Sequence, residues 1–98
     1  MYIQFIIYSV VISKQAKKQI IKLPRHITES LEAWVDDVET HGLLEVRKTP
    51  GYHDEPLHGD RKGQRSVRLS RAYRAIYVIK SDNSIEFVLI EEVSKHDY

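Results

Sequence analysis

The 98-residue chain is 42% apolar and 30% charged, a composition that favours one compact domain, spanning residues 1–98, with a modest hydrophobic core. It contains no cysteine, which excludes disulfide bonds, thiolate metal ligands and a cysteine nucleophile. Its five histidines are scattered without short ligand spacing, so we predict neither a metal site nor another cofactor.

The net charge of +1 conceals a segregation of acids and bases along the chain. Residues 25–41 hold five acids against a single arginine, whereas residues 55–74 hold six Lys or Arg and only two acids. A local basic field attracts polyanions even when the whole chain is nearly neutral. Residues 55–74 are therefore the first place to look for an anion-binding function.

The apolar N-terminal stretch, residues 3–12, is too short to span a membrane. Gln4 and Ser9 interrupt it, and a span requires roughly 20 apolar residues. It also lacks the basic leader and the small-residue cleavage site of a signal peptide, so we predict a cytoplasmic protein that does not enter a membrane. Its β-branched and aromatic residues favour a first strand over residues 5–12.

Two helices are predicted after this strand. Ser13 suits the N-cap of a helix over residues 14–23, which Pro24 ends. Pro24 also suits the first turn of a second helix, and Gly42 closes that helix as a left-handed C-terminal residue. The two helices form a hairpin. The second helix carries a buried stripe that includes a core tryptophan, and its apolar residues are Ile27, Leu31, Trp34, Val35 and Val38.

Residues 43–63 show no periodicity and are rich in Pro and Gly, which predicts a long loop with at most a short strand or turn near residues 44–47. Strands follow at residues 65–69, 73–80 and 85–93, with a turn at residues 81–84. The predicted order is β-α-α-β-β-β. This is an α+β fold in which an N-terminal strand and a helical hairpin precede an antiparallel three-stranded sheet.

The first two of these three strands are joined by a loop centred on Arg71, which sets the pairs that face each other. Residues whose numbers sum to 142 are opposite, so Arg68 faces Arg74 while Val67 and Ala75 occupy the other side of the sheet. Like charges directly opposed destabilise a sheet unless the pair is solvated or receives an anion. An arginine side chain presents its N–H groups in a fork that matches the geometry of a phosphate. The strand register alone does not decide between a solvated arginine pair and an anion site.

Four segments of the chain follow one another at characteristic spacing: Glu55-Pro-Leu-His-Gly, Gly63-Gln-Arg-Ser-Val-Arg-Leu, Ala72-Tyr-Arg-Ala-Ile-Tyr-Val and the terminal His96-Asp-Tyr. In this order and spacing they resemble the RelE/ParE superfamily of bacterial toxins. The similarity is strongest to the YoeB-like and HigB-like mRNA interferases. It implies a RelE-like fold and the toxin of a type II toxin–antitoxin module. Such a toxin cleaves mRNA in the ribosomal A site, without a metal ion, by attack of a ribose 2′-hydroxyl on the adjacent phosphate.

This reaction requires a base for the hydroxyl, cations for the phosphoryl oxygens and an acid for the departing 5′ oxygen. The resemblance assigns the base to Glu55, in a loop that we expect to be partly desolvated. The alternative is that Glu55 merely pairs with a neighbouring arginine. The resemblance assigns the transition-state clamp to Arg74, with Arg68 beside it.

The C-terminus supplies the remaining candidates for catalysis. The resemblance implies that His96 is the acid and that Tyr98 stacks on a base or brings its phenol near the scissile phosphate. YoeB-like chains end with adjacent His and Tyr, whereas Asp97 separates them here and puts an acid beside the phosphate site. The alternative is a frayed terminus carrying ordinary surface residues.

Further cations are candidates for contacts with RNA backbones, where each contact adds affinity that falls with salt. The alternative for each of them individually is an ordinary surface charge, and for His58 it is a cap of the turn at Gly59. They are His58, Arg61, Lys62, Arg65 and Arg71. The resemblance also implies two kinds of partner, the ribosome with its mRNA and a cognate antitoxin encoded adjacently. An acidic or amphipathic segment of that antitoxin would cover the basic site.

Two alternative functions remain open from the sequence. A ParE-like toxin shares the fold but inhibits DNA gyrase and needs no acid–base set. A non-catalytic nucleic-acid-binding module would keep the basic stretch without the chemistry. The coexistence of Glu55, Arg68, Arg74 and His96 favours the nuclease.

Overall fold

The computed structural model describes residues 7–83 and 85–95. In these residues one strand is followed by three helices and then by four strands, in the order β1-α1-α2-α3-β2-β3-β4-β5. The predicted α+β class and the helical hairpin after the first strand are confirmed. Single 3-10 turns at Pro50–Tyr52 and Gly59–Arg61 flank β2. The elements are β1 Val10–Ile12, α1 Lys14–Ile20, α2 Arg25–His41, α3 Leu43–Val46, β2 Glu55–Pro56, β3 Arg65–Arg68, β4 Tyr73–Asp82 and β5 Ile85–Lys95.

The sheet is five-stranded and mixed, with the strand order β1-β5-β4-β3-β2. β1 runs parallel to β5, and the other neighbours are antiparallel. The three predicted strands, now β3, β4 and β5, are antiparallel neighbours as expected, but the predicted sheet was too small because β2 and the parallel β1 also join it. The helical hairpin returns the chain so that β1 lies beside the last strand, a pairing that no local pattern encodes. β2 was missed because it has only two residues, one of them a proline.

Capping residues define the ends of the helices. Ser13 caps α1 as predicted, since its Oγ accepts the Ala16 N–H at 3.0 Å, and the same hydroxyl donates to the Glu91 carbonyl of β5 at 3.1 Å. α1 ends at Ile20, earlier than predicted, and Pro24 is the N-cap of α2 rather than its first residue.

Gly42 ends α2 with a positive φ of 87°, which glycine adopts at little cost. Its ψ is 150°, so it lies outside the left-handed helical region that we predicted, and the chain continues directly into α3. This short helix replaces the strand or turn predicted near residues 44–47. The segment 43–63 is therefore not a structureless loop, because it holds α3, both 3-10 turns and β2.

The hydrophobic core lies between the helices and one face of the sheet. Trp34 of α2 is fully buried and its ring centroid lies 5.3 Å from that of Tyr77 on β4, which confirms its predicted place in the core. At roughly 25 cal/mol per Å² of apolar surface, these contacts supply most of the folding free energy. The clustered core residues are Ala16, Ile27, Leu31, Trp34, Val38, Leu43, Val46, Val67, Leu69, Ala75, Tyr77, Val88, Ile90 and Val93.

The β3–β4 hairpin has the predicted register. Arg68 is opposite Arg74, and Val67 is opposite Ala75, so the two arginines share the face that the helices do not cover. Ile76 of β4 is opposite Glu92 of β5, but the next residue, Tyr77, is opposite Ile90. Glu91 is therefore an extra residue on β5, a β-bulge. No helix in the described ranges is long and apolar enough to cross a membrane.

Candidate functional site

An open cleft lies where the β3–β4 hairpin meets β2, and it encloses about 410 Å³ counting its solvent-filled mouth. It brings together four of the residues that the sequence singled out, Glu55, Arg68, Arg71 and Arg74. The full set of lining residues is His53, Glu55, Ser66, Arg68, Ser70, Arg71, Tyr73 and Arg74. The cleft is therefore strongly basic, with one carboxylate at its edge.

A single hairpin positions the three arginines of the cleft. Arg68 and Arg74 are a directly opposed pair on the two strands. In the connecting loop, Ser70 Oγ accepts the backbone N–H groups of Ala72 and Tyr73, both at 3.2 Å, which shapes the turn that carries Arg71. Three arginines from one short segment thus line the same cleft, a residue set suited to the several oxygens of a phosphate.

Arg74 is half-buried, and its Nε atom is buried without a hydrogen-bond partner in the described part of the chain. A buried donor left unpaired costs about 1–3 kcal/mol, more for a charged group. Protein folds rarely retain such a cost without a reason. Arg74 lines the cleft, so an oxyanion bound there would supply an acceptor for its guanidinium group.

Glu55 lies on β2 opposite Ser66, on the same face as the arginines. Its side chain is exposed, contrary to the partial desolvation that we expected for it. Within residues 7–83 and 85–95, no hydrogen bond or ion pair engages its carboxylate, so the alternative of a fixed Glu55–arginine pair finds no support there. The carboxylate stands at the edge of the cleft, accessible to a substrate.

Asp54, the residue before Glu55, points the other way and anchors this strand. Its side chain is fully buried, and it accepts from Arg65 Nε and from Tyr77 Oη, both at 2.6 Å. Burial, together with the hydrogen bond and negative charge of Asp54, raises the pKa of Tyr77 well above its ordinary value. Burial alone would lower the pKa of Arg65, but the hydrogen bond and charge of Asp54 outweigh it and raise that pKa.

Arg65, which we predicted to contact RNA, does not lie on the face of the sheet that carries the cleft. Its side chain is held by Asp54 on the helix-facing side of the sheet, and it does not line the cleft. Sequence reasoning missed Asp54. The available signal was strand alternation, because a residue that precedes an outward-facing Glu55 must face inward.

A second carboxylate missed from the sequence, Glu92 on β5, lies near the arginines. It accepts from Arg61 Nη2 at 3.2 Å and from Ser94 Oγ at 2.8 Å. Burial alone would raise the pKa of Glu92, but these hydrogen bonds and the charges of Arg61 and Arg74 lower it overall. The negative charge of Glu92 thus partly balances the positive charge of Arg61 and Arg74 beside the cleft.

The remaining candidates are not brought into the cleft. Arg61 bonds to Glu92 and, at 3.2 Å, to Gln64, while Lys62 is exposed. His58 is the N-cap residue of the Gly59–Arg61 turn, but its side chain makes no capping hydrogen bond. The predictions for His96 and Tyr98 fall outside the described residues. Among the described residues, no group of three or more His, Asp or Glu side chains could hold a metal ion.

Comparisons with known proteins identify the fold. No family model and no curated protein matches the sequence. Solved structures do match. YafQ from Escherichia coli BL21(DE3) superposes with a TM-score of 0.68 at 19% identity, covering 90% of this chain and 92% of YafQ. The YoeB/ParE toxin from Agrobacterium tumefaciens gives a TM-score of 0.66 at 16% identity, covering 91% and 99%.

A third match is the toxin–antitoxin complex RelBE2 from Mycobacterium tuberculosis, with a TM-score of 0.58 at 24% identity, covering 93% of this chain and 100% of the matched chain. These identities are low and the coverage is nearly complete, so the likeness concerns the whole fold rather than one motif. The resemblance that the sequence indicated is confirmed at the level of the fold: the chain has the fold of the RelE/ParE toxin superfamily, with YoeB-like and YafQ toxins among its structural neighbours.

Proposed function

We propose that this chain is the toxin of a type II toxin–antitoxin module and that it cleaves mRNA in the ribosomal A site. The observation that carries the proposal is the hairpin of three arginines around an open cleft, in which Arg74 Nε is buried and lacks an acceptor within the described residues. A phosphodiester supplies such an acceptor. Arg68 and Arg71 are exposed, where a substrate can reach them, and the half-buried Arg74 is the residue that distinguishes this cleft from a merely solvated edge.

The arrangement supports a transesterification. Glu55 accepts the proton of the ribose 2′-hydroxyl, and the 2′ oxygen forms a bond to phosphorus as the bond to the 5′ oxygen breaks. Arg74 and Arg68 donate to the non-bridging oxygens, where negative charge accumulates. The products are a 2′,3′-cyclic phosphate and a 5′-hydroxyl, and no metal ion takes part.

Two roles of the proposal rest on the sequence. His96 as the donor to the departing oxygen and Tyr98 as a stacking residue stay predictions, because both lie outside the described residues. Exposed Lys62 and His58 stay candidates for contacts with RNA backbones. Arg61 could make such a contact only by exchanging its bond with Glu92 for one with a phosphate.

The proposed partners are the ribosome with its mRNA and a cognate antitoxin. One structural neighbour was crystallised as a toxin–antitoxin complex, which supports the second partner. An acidic segment of an antitoxin would complement the same arginines that bind phosphate, since a carboxylate and a phosphate present similar oxygens to a guanidinium group. Binding of that segment would exclude the substrate.

The proposal is tested by mapping transcript ends in cells that express the chain, in parallel with a supercoiling assay of DNA gyrase. We expect new 5′ ends within translated regions, and we expect Arg74→Ala to abolish them. Intact transcripts together with inhibited gyrase would replace the proposal with a ParE-like activity. Intact transcripts, active gyrase and retained nucleic-acid binding would indicate a non-catalytic module.

A further inference from the structure

The cleft contains an imidazole side chain that the sequence did not single out. His53 lines it beside Glu55, and it is the one histidine among the described lining residues. Its backbone is left-handed, with φ 45° and ψ 47°, a conformation that few residues other than glycine adopt, although histidine is enriched there together with asparagine and aspartate. Such a conformation persists only where the surrounding structure imposes it.

Contacts on both sides fix this conformation. Before His53, the Pro50–Tyr52 turn is closed by a 3.1 Å hydrogen bond from the His53 N–H to the Pro50 carbonyl, and Tyr52 Oη donates to Asp37 of α2. After His53, the buried side chain of Asp54 is held by Arg65 and Tyr77. The chain is therefore anchored on the core side at Asp54, while His53 and Glu55 both reach the cleft.

Resting on the proposed function, we propose that His53, in place of His96, donates the proton to the departing 5′ oxygen while Glu55 accepts the proton of the attacking 2′-hydroxyl. The bond between the 2′ oxygen and phosphorus forms, the bond between phosphorus and the 5′ oxygen breaks, and the imidazolium proton passes to that oxygen. Glu55 finishes protonated and His53 finishes neutral. Proton exchange with solvent restores both groups.

The chemistry of the other lining side chains favours His53 for this role. Arginine side chains do not release a proton in proteins, and serine hydroxyls are poor acids. Tyr73 is half-buried and packs against the core. Imidazole is the side chain suited to giving and taking a proton near neutral pH.

A substrate with a sulfur atom in place of the bridging 5′ oxygen tests the assignment, because a thiolate leaves without being protonated. The enzyme variants are His53→Asn and Arg74→Ala, with His26→Ala as a matched control on the exposed surface of α2. Asparagine tolerates the left-handed backbone, so His53→Asn removes the imidazole without imposing a new strain. Cleavage is measured on programmed ribosomes, and circular dichroism verifies that each variant folds.

On the normal substrate, we expect His53→Asn to cleave about 10² to 10⁴-fold more slowly than the wild type, the range for loss of a general acid. On the sulfur substrate it should cleave within about tenfold of the wild type, whereas Arg74→Ala stays slow on both. A normal rate for His53→Asn, or an equal loss on both substrates, overturns the inference. The same series with His96→Ala shows whether His96 holds the role instead. Absence of cleavage by the wild type refutes the proposed function itself.

Discussion

Replacing Tyr77 by phenylalanine tests how strongly the buried Asp54 cluster stabilises the strand that carries Glu55. The change removes one hydroxyl and leaves Asp54 Oδ2 without the donor that lies 2.6 Å away. Both side chains are fully buried, so water does not replace the lost donor. A hydrogen bond to a charged group is worth about 1.5–3 kcal/mol, so we expect the free energy of unfolding to fall by about 2 kcal/mol.

For a domain of this size, 1 kcal/mol shifts the thermal midpoint by about 4–8 °C, so Tyr77→Phe should lower it by about 8–16 °C. Urea unfolding should show a lower midpoint with an unchanged slope. Tyr8→Phe is the matched control, because the Tyr8 side chain is 44% exposed, and its expected effect is below about 0.5 kcal/mol. If Tyr77→Phe is as mild as Tyr8→Phe, the Asp54 cluster does not anchor the strand.

Three further predictions concern the cleft and its surroundings. Arg74→Ala should reduce cleavage about 10² to 10³-fold while the free energy of unfolding changes by less than about 1 kcal/mol; a large loss of stability in thermal melts would make Arg74 a structural residue instead. Because the pKa of Glu92 is lowered from its ordinary 4.5, its contribution to stability is present above that pH and is lost as the pH falls below it. Unfolding of Glu92→Gln measured across this range should therefore depend less on pH than that of the wild type, and identical profiles would contradict the assigned ion pair. Ser13→Ala should cost about 1 kcal/mol in urea unfolding through loss of the α1 cap, and no change would contradict its capping role.

The elements predicted best were those whose signal is local. Ser13 and the apolar spacing of α2 specify their helices because a cap and a stripe repeat over a few residues. The register of the β3–β4 hairpin was also predictable, because a short loop centred on Arg71 fixes which residues are opposite. From that register alone, Arg68 and Arg74 were placed on one face.

What the sequence could not provide were contacts between distant parts of the chain. The parallel pairing of β1 with β5 depends on how the helical hairpin returns the chain, which no local pattern records. The side chain of Arg65 is held by Asp54, which also accepts from Tyr77. These residues are far apart in the sequence, so no local pattern indicates that they meet. His53 and Glu92 lie outside the basic residues 55–74 in the sequence. The turn before His53 brings it to the cleft, and the strand order brings Glu92 beside it.

The chemistry of the cut ends tests the central claim most directly. Programmed ribosomes carrying an mRNA with a defined A-site codon are incubated with the purified wild-type chain, and both ends of the break are analysed. The account predicts a single break with a 2′,3′-cyclic phosphate upstream and a 5′-hydroxyl downstream, unaffected by chelation of divalent ions, and no break with a 2′-deoxy substitution at that nucleotide. A break that survives the 2′-deoxy substitution, or an intact mRNA under conditions in which the chain inhibits gyrase, would contradict it.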